Sequence, residues 1–343
     1  MEETPENRTG YTLLRNHVAA LVDRAKSEFY TKVANDNKDC PRGLFKIINT
    51  LLNNKKESPL PPHTDAETLA NEFCNFFIDK ISLIRENILN SMPSSGSVMP
   101  PEVKKFTMAL NDFRPTNEEE VKRFLLASPS KSCVQDPIPT WLLKSCESTL
   151  VPLITRIINS ILLSSEMPEN LKIAVVRPLL KKLILDLILK NYRPVSNLPF
   201  LSKLTEKIVL ERLNEHILSN NLREMFQSAY CKAHSTETAL LRVRNDILSA
   251  MDKQQVTLLI MLDLSSAFDT IDHGILFKRL SDRLGIQGHA LQWIKSYLTG
   301  RGQYISINGE TSEVVPLLHG VPQGSVLGPV LFTMYIIPLG DIP

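Results

Sequence analysis

The chain has no C-x-x-C pair, and its five cysteines, at positions 40, 74, 133, 146 and 231, are odd in number. That excludes a zinc ribbon and a disulfide framework, and it fits reduced thiols inside a cell. No uninterrupted apolar run approaches ~18 residues, so no membrane span is expected. The opening MEETPENRTG is polar and acidic, unlike a secretory signal. Nor does one charge dominate. The 39 lysines and arginines against 37 acidic residues leave a net +2, so any nucleic-acid-binding surface has to be local. What is present, 43% apolar and 22% charged residues over 343 positions, suits a globular protein of two or three compact units. The expected location is intracellular, nuclear or cytoplasmic, and not secreted.

Hydrophobic periodicity divides the chain. Leu14, Val18, Leu21, Ala25 and Phe29 recur at helical spacing within 11–30. Pro41 opens a second helix with Leu44, Ile47, Ile48, Leu51 and Leu52 on one face. Prolines 59, 61 and 62 form a stiff connector, and Thr64 with Glu67 reads as the capping box of a third helix carrying Leu69, Phe73, Ile81 and Ile88. Residues 91–115, rich in Ser, Pro and Gly, read as a linker and the main boundary. Thr116 with Glu119 caps a further helix, and two helices over 140–164 bury Leu153, Ile154, Ile157, Ile158 and Ile161. Residues 173–180 read as a strand and 199–219 and 235–251 as helices, with two more near 274–284 and 288–299. Strands over 303–308 and 314–318 flank Asn308-Gly309, the dipeptide of a tight hairpin. No internal repeat occurs.

Two stretches carry chemistry. Val256–Leu262 is an apolar run ending in Asp263, which reads as a strand buried on both faces with a carboxylate at its rim. Such a carboxylate suits Mg²⁺, which takes carboxylate oxygens, water and substrate phosphates. About 60 residues later, Gly320-Val-Pro-Gln323-Gly324-Ser325 opens an apolar helix. Its glycines let backbone approach a ligand, and the helix start is expected to offer unpaired N–H groups. Gln323 can donate and accept hydrogen bonds together, as a nucleotide edge requires. Alone, each stretch reads more simply as a turn.

Together they resemble a known family. LDLSSAFDTIDH (262–273) and GVPQGSVLGPVLF (320–332) resemble the first and second palm motifs of reverse transcriptases, most closely those of vertebrate non-LTR (LINE-type) retrotransposons. NYRPVSNLPFLSKLTEKIV (191–209) and FQSAYCKAHSTETAL (226–240) resemble the preceding fingers blocks, and the likeness weakens back through 128–144. The helices before 110 resemble the segment joining endonuclease to polymerase. The implied fold is α+β: right-hand polymerase fingers and a partial palm over 116–343, preceded by a helical region over 1–90 and a flexible linker over 91–115.

The resemblance also implies roles. Asp263 would bind the catalytic Mg²⁺ pair, helped by the Leu264 carbonyl. Phe268 would stand under the sugar and reject a 2′-hydroxyl. Gln323 and Gly324 would touch the incoming nucleotide, and Ser325 the template or primer. Lys181, Lys182 and Arg193 would reach the triphosphate. Implied partners are an RNA template, a DNA primer and deoxynucleoside triphosphates, with no membrane. Three departures stand out. No aromatic-Ala-Asp-Asp motif occurs through Pro343, so one strand carboxylate would have to hold two metals, and the chain alone is expected to be inactive. Leu183–Leu189 puts exposed apolar residues at the fingers tip, and Cys231-Lys232 replaces Arg-Pro. The alternative to a polymerase portion is a remnant that binds RNA or an RNA–DNA hybrid without catalysis.

Overall fold

The computed structural model describes residues 5–36, 59–91, 106–131 and 133–341. The helix expected to open at Pro41 lies outside them, as do residues 92–105 of the expected linker. The chain divides into two compact units at Pro59. In the first, helix α1 (Pro5–Asp36) contains the expected 11–30 segment, with Leu14, Val18, Leu21 and Phe29 exposed.

The second unit starts at Leu60 and includes helix α2 (Ala66–Ser91). Its cap is Asp65 rather than Thr64: the Asp65 carboxylate accepts the Thr68 amide at 2.7 Å and the Thr68 hydroxyl at 2.6 Å. Helix α3 (Glu118–Ala127) likewise begins one residue later than expected, with Asn117 accepting the Glu120 amide at 2.9 Å. In both, the cap is the residue whose side chain reaches the third N–H of the helix.

Helices α4 (Thr140–Ser145) and α5 (Glu147–Ser164) follow. The buried face of α5 is Val151, Ile154, Thr155, Ile158, Ile161 and Leu162, whereas Leu153 and Ile157 face solvent. Periodicity alone left two overlapping stripes here, because apolar residues fill most of this helix. Strand β1 (Ile173–Leu180) matches its expected bounds and pairs antiparallel with β2 (Tyr192–Asn197), with Leu179 opposite Arg193. Between them, Leu183 and Ile184 are exposed as expected, but Leu185, Leu187 and Leu189 pack against the sheet cluster. Half of that tip therefore belongs to the core.

Helices α6 (Phe200–Ser219) and α7 (Thr236–Asp252) agree with the periodicity, and Ser235 with Thr238 forms a capping box on α7. After α8 (His273–Asp282) and α9 (Gly288–Leu298), strand β3 (Arg301–Ile307) lies parallel to β1. It turns back at Asn308 and Gly309, whose φ values of +53° and +95° are those that an Asn-Gly hairpin demands. Strands β4 (Glu310–Thr311) and β5 (Val315–Leu317) both pair antiparallel with β3, giving the path β2-β1-β3-β4 with β5 on β3. Helix α10 (Gly328–Ile336) closes the unit.

Two cores hold this together. α2 covers the sheet, with the Phe73 ring edge-on to Tyr192 at 5.0 Å and Phe77, Val176, Ile305 and Ile307 around it. The larger core joins α3, α5, α6, α8, α9 and α10 around Trp293, which stacks on Tyr297 at 5.5 Å. Between them, these clusters remove most of the large apolar side chains of the second unit from water, at roughly 25 cal/mol per Å² of apolar surface.

One expectation fails outright. Residues 256–262 form no strand, and the whole run is exposed, Met261 at 85% and Leu262 at 86%. A buried strand needs a neighbour's N–H and C=O groups, and no described strand pairs with this one.

Candidate nucleotide and nucleic-acid site

The Gln323 loop is built from its backbone outward. Its first glycine, Gly320, sits at φ +78°, and a Cβ there would meet the Asp269 carbonyl oxygen at 2.6 Å. That close approach lets the Gly320 amide donate to the Ile271 carbonyl and the Val321 amide to the Phe268 carbonyl, both at 2.8 Å. The two sequence motifs thus meet, but through the turn Phe268–Ile271 rather than through Asp263. His273 strengthens the junction, its Nε2 lying 2.8 Å from the Gly320 carbonyl oxygen.

Further along, the Ser196 amide at the end of β2 donates to the Gln323 carbonyl at 2.8 Å. Gly324, at φ +121°, presses against that same residue: a Cβ would lie 2.4 Å from the Ser196 carbonyl oxygen. Only glycine adopts this backbone at no cost. The loop is therefore held against β2 on one side and the Phe268 turn on the other.

The helix start behind the loop does not offer free N–H groups. Glu206 on α6 is fully buried and accepts the Val326 and Leu327 amides on one oxygen, at 2.6 and 3.1 Å. The Gly328 amide donates to the Ser325 hydroxyl at 3.0 Å, and Ser325 is itself buried. Ser325, expected at the template or primer, thus has its hydroxyl turned inward onto its own helix. A buried carboxylate satisfies the amides that a ligand anion would otherwise take. Burial pushes the Glu206 carboxyl upward, opposed first by the Arg301 charge and then by the two amides. Arg301 is buried too and donates Nη1 to the Tyr297 carbonyl at 2.8 Å.

Phe268 is half-buried at the centre of three blocks. Its ring lies 5.0 Å from Phe332 on α10 and 6.3 Å, edge-on, from Tyr230 in the fingers segment. Next to it, burial pushes the Asp269 carboxyl up to about 6, against the pull of Lys80 from α2. Asp272 caps α8, accepting the Ile275 amide at 3.0 Å and pairing with Arg85 at 2.8 Å.

The expected phosphate contacts are accessible. Lys181, Lys182 and Arg193 are all exposed. Lys181 donates Nζ to the Lys190 carbonyl at 2.7 Å, and burial, then Lys80, lowers its pKa. Asp263 and Leu264 are exposed, on the unpaired segment. Among the described residues, no group of three His, Cys, Asp or Glu side chains converges to hold a metal. Asp263 as placed belongs to no such group.

Sequence reasoning missed Glu206, Lys80 and the Tyr230–Phe268–Phe332 cluster. Only Glu206 left a signal: it shares the inward stripe of α6 with Ser202, Val209 and Leu213, where an acid is out of place.

The chain is similar in sequence to known proteins. The family described as reverse transcriptase (RNA-dependent DNA polymerase) matches residues 180–341. The RNA-directed DNA polymerase from mobile element jockey of Drosophila funebris is 32% identical over 247 residues, 71% of this chain and 26% of that protein. Its Drosophila melanogaster counterpart is 31% identical over 219 residues, 63% of this chain and 24% of its own length. The probable RNA-directed DNA polymerase from transposon BS of Drosophila melanogaster is 28% identical over 231 residues, covering 67% and 25%. The chain thus spans about a quarter of the length of the curated relatives it matches.

Proposed function

Residues 180–341 belong to the reverse transcriptase domain of non-LTR retrotransposons, and from that premise we propose that this chain is the fingers and first part of the palm of an RNA-directed DNA polymerase. It would hold an RNA template, a DNA primer and a deoxynucleoside triphosphate. The observation that carries this reading is the junction of Phe268–Ile271 with Gly320–Val321, which fixes an aromatic ring beside a glycine-rich loop.

In this proposal the Phe268 ring stands under the sugar and excludes a 2′-hydroxyl by bulk. Gln323 presents its amide to the nucleotide, while Gly324 lets the loop lie close against β2. Lys181, Lys182 and Arg193 draw in the triphosphate, the arginine as a planar fork and the lysines as point charges. Reverse transcriptases use divalent metal ions. We take Mg²⁺ as the ion and Asp263, with the Leu264 carbonyl, as a partial ligand set. That set is too small to hold two ions, so no catalytic step is assigned to it. Among the described residues, no helix is long and apolar enough to cross a membrane.

Two assays test the reading. RNA–DNA hybrid binding is expected to weaken with salt and to weaken further on Arg193→Ala and Lys182→Ala; absent or salt-insensitive binding contradicts it. Primer extension on an RNA template with Mg²⁺ is expected to yield no product from this chain alone. Robust extension that Asp263→Asn abolishes would mean that the metal ligands are complete after all, and the second half of the proposal would fall.

A further inference from the structure

We propose that Lys144, Lys203 and Lys207 form a phosphate-binding site for a nucleic-acid strand, separate from the residues assigned above to the triphosphate. The inference rests on the nucleic-acid reading, but the three lysines are not among the residues assigned there.

The three side chains come from two helices: Lys144 and Lys207 meet at Ser128, and Lys203 lies one turn from Lys207 against the end of β2. Lys144 on α4 donates Nζ to the Leu126 carbonyl at 3.0 Å and to the Ser128 carbonyl. Lys207 on α6 donates to the Ser128 hydroxyl at 2.7 Å, and that hydroxyl donates its own proton to the Phe124 carbonyl. One turn earlier on α6, Lys203 donates to the Asn197 side-chain oxygen at 2.6 Å. All three are half-buried, and burial, then the charges of Lys144 and Lys203, lower the Lys207 pKa.

Every acceptor in this cluster is neutral. Among the described residues, none of the three lysines makes an ion pair, although Arg114, Arg123 and Arg212 all find glutamates. Asp136 lies beside the same loop, but its two oxygens are taken by the Cys133 and Phe200 amides. Three like charges with a single carboxylate nearby, and none of them in an ion pair among the described residues, repel one another, and an anion relieves that repulsion. Nor is the concentration of charge a by-product of a basic chain, since the net charge is only +2.

The placement favours a nucleic-acid strand over a free anion. Asn197, which Lys203 holds, follows Ser196, whose amide donates to the Gln323 carbonyl. A strand lying on the Gln323 loop would therefore continue onto these lysines.

The test is the salt dependence of RNA–DNA hybrid binding for the wild-type chain, the triple variant Lys144→Gln/Lys203→Gln/Lys207→Gln, the triple Lys→Arg variant and Arg193→Ala. Each phosphate that a lysine neutralises adds about 0.9 to the slope of log K against log salt. The glutamine triple is therefore expected to shed about 2 to 3 from the slope and at least tenfold in affinity. The arginine triple should keep the wild-type slope. A wild-type slope in the glutamine triple, with binding still weakened by Arg193→Ala, overturns the lysine site and leaves the polymerase reading standing. No hybrid binding by the wild-type chain overturns both. If the glutamine triple fails to melt cooperatively, the three single variants decide, each expected to lower the slope by about 0.9.

Discussion

Replacing Glu206 with alanine is expected to cost about 3–5 kcal/mol of stability, the range for removing one member of a buried charged network. The carboxylate ties α6 to the start of α10. It accepts two amides at the start of α10 and the Ser202 hydroxyl at 3.3 Å, and it lies within the field of buried Arg301. Alanine would leave those amides without partners in a dry interior and Arg301 without a counter-charge. Glutamine keeps an oxygen for the amides but no charge for Arg301, so its cost should be less than half as large. Urea denaturation reads this as a lower midpoint at unchanged slope. An alanine variant within about 0.5 kcal/mol of wild type would show that the network does not hold the loop. The effect extends to function, because releasing α10 also releases Gln323.

Asp269→Asn is expected to stabilise the protein at neutral pH. The folded carboxyl titrates at about 6 rather than at its ordinary 3.8, because burial penalises its charged form. Between those values the folded state keeps a proton that the unfolded state has lost. Stability from this group therefore falls as pH rises from about 4 to about 6, and the full penalty applies above that window. The displacement corresponds to a ceiling of about 3 kcal/mol, reduced because the residue keeps some contact with water. Asparagine carries no charge to desolvate. The variant should melt higher than wild type at pH 7.5 and together with it near pH 4. A lower melt at pH 7.5 would mean that the pull of Lys80 outweighs the cost of burying the charge. The penalty sits beside Phe268, where the turn must stay close to Gly320; stability is given up at the junction of the two motifs.

Local signals made much of this legible. The Asn308-Gly309 hairpin and strand β1 each follow from a few neighbouring residues, and each stands where the sequence placed it. Long-range pairing was less accessible. An apolar run such as Val256–Leu262 states only that burial would be favourable, and whether another strand lies alongside is decided elsewhere in the chain. The same limit explains α5, where a nearly all-apolar helix does not announce which face meets α3. It explains the fingers tip as well: Leu185, Leu187 and Leu189 look gratuitous until α2 and the sheet are placed beneath them. At the site, Gly320 and Gly324 were visible because their backbone geometry demands glycine. Glu206 was hidden because its partners are backbone amides, which every sequence possesses. Ser325 was ambiguous for a related reason, since a hydroxyl after a glycine serves a helix start, as it does here, as readily as a ligand.

The central claim is that a nucleotide sits where the Phe268 turn meets the Gln323 loop. Photo-crosslinking with a photoreactive deoxynucleoside triphosphate, in the presence of an RNA–DNA primer–template, tests it most directly. The expected labels fall on the two peptides that contain Phe268 and Gln323, and unlabelled deoxynucleotide competes them away. Labels confined to other peptides, or labels indifferent to competitor, would contradict the account.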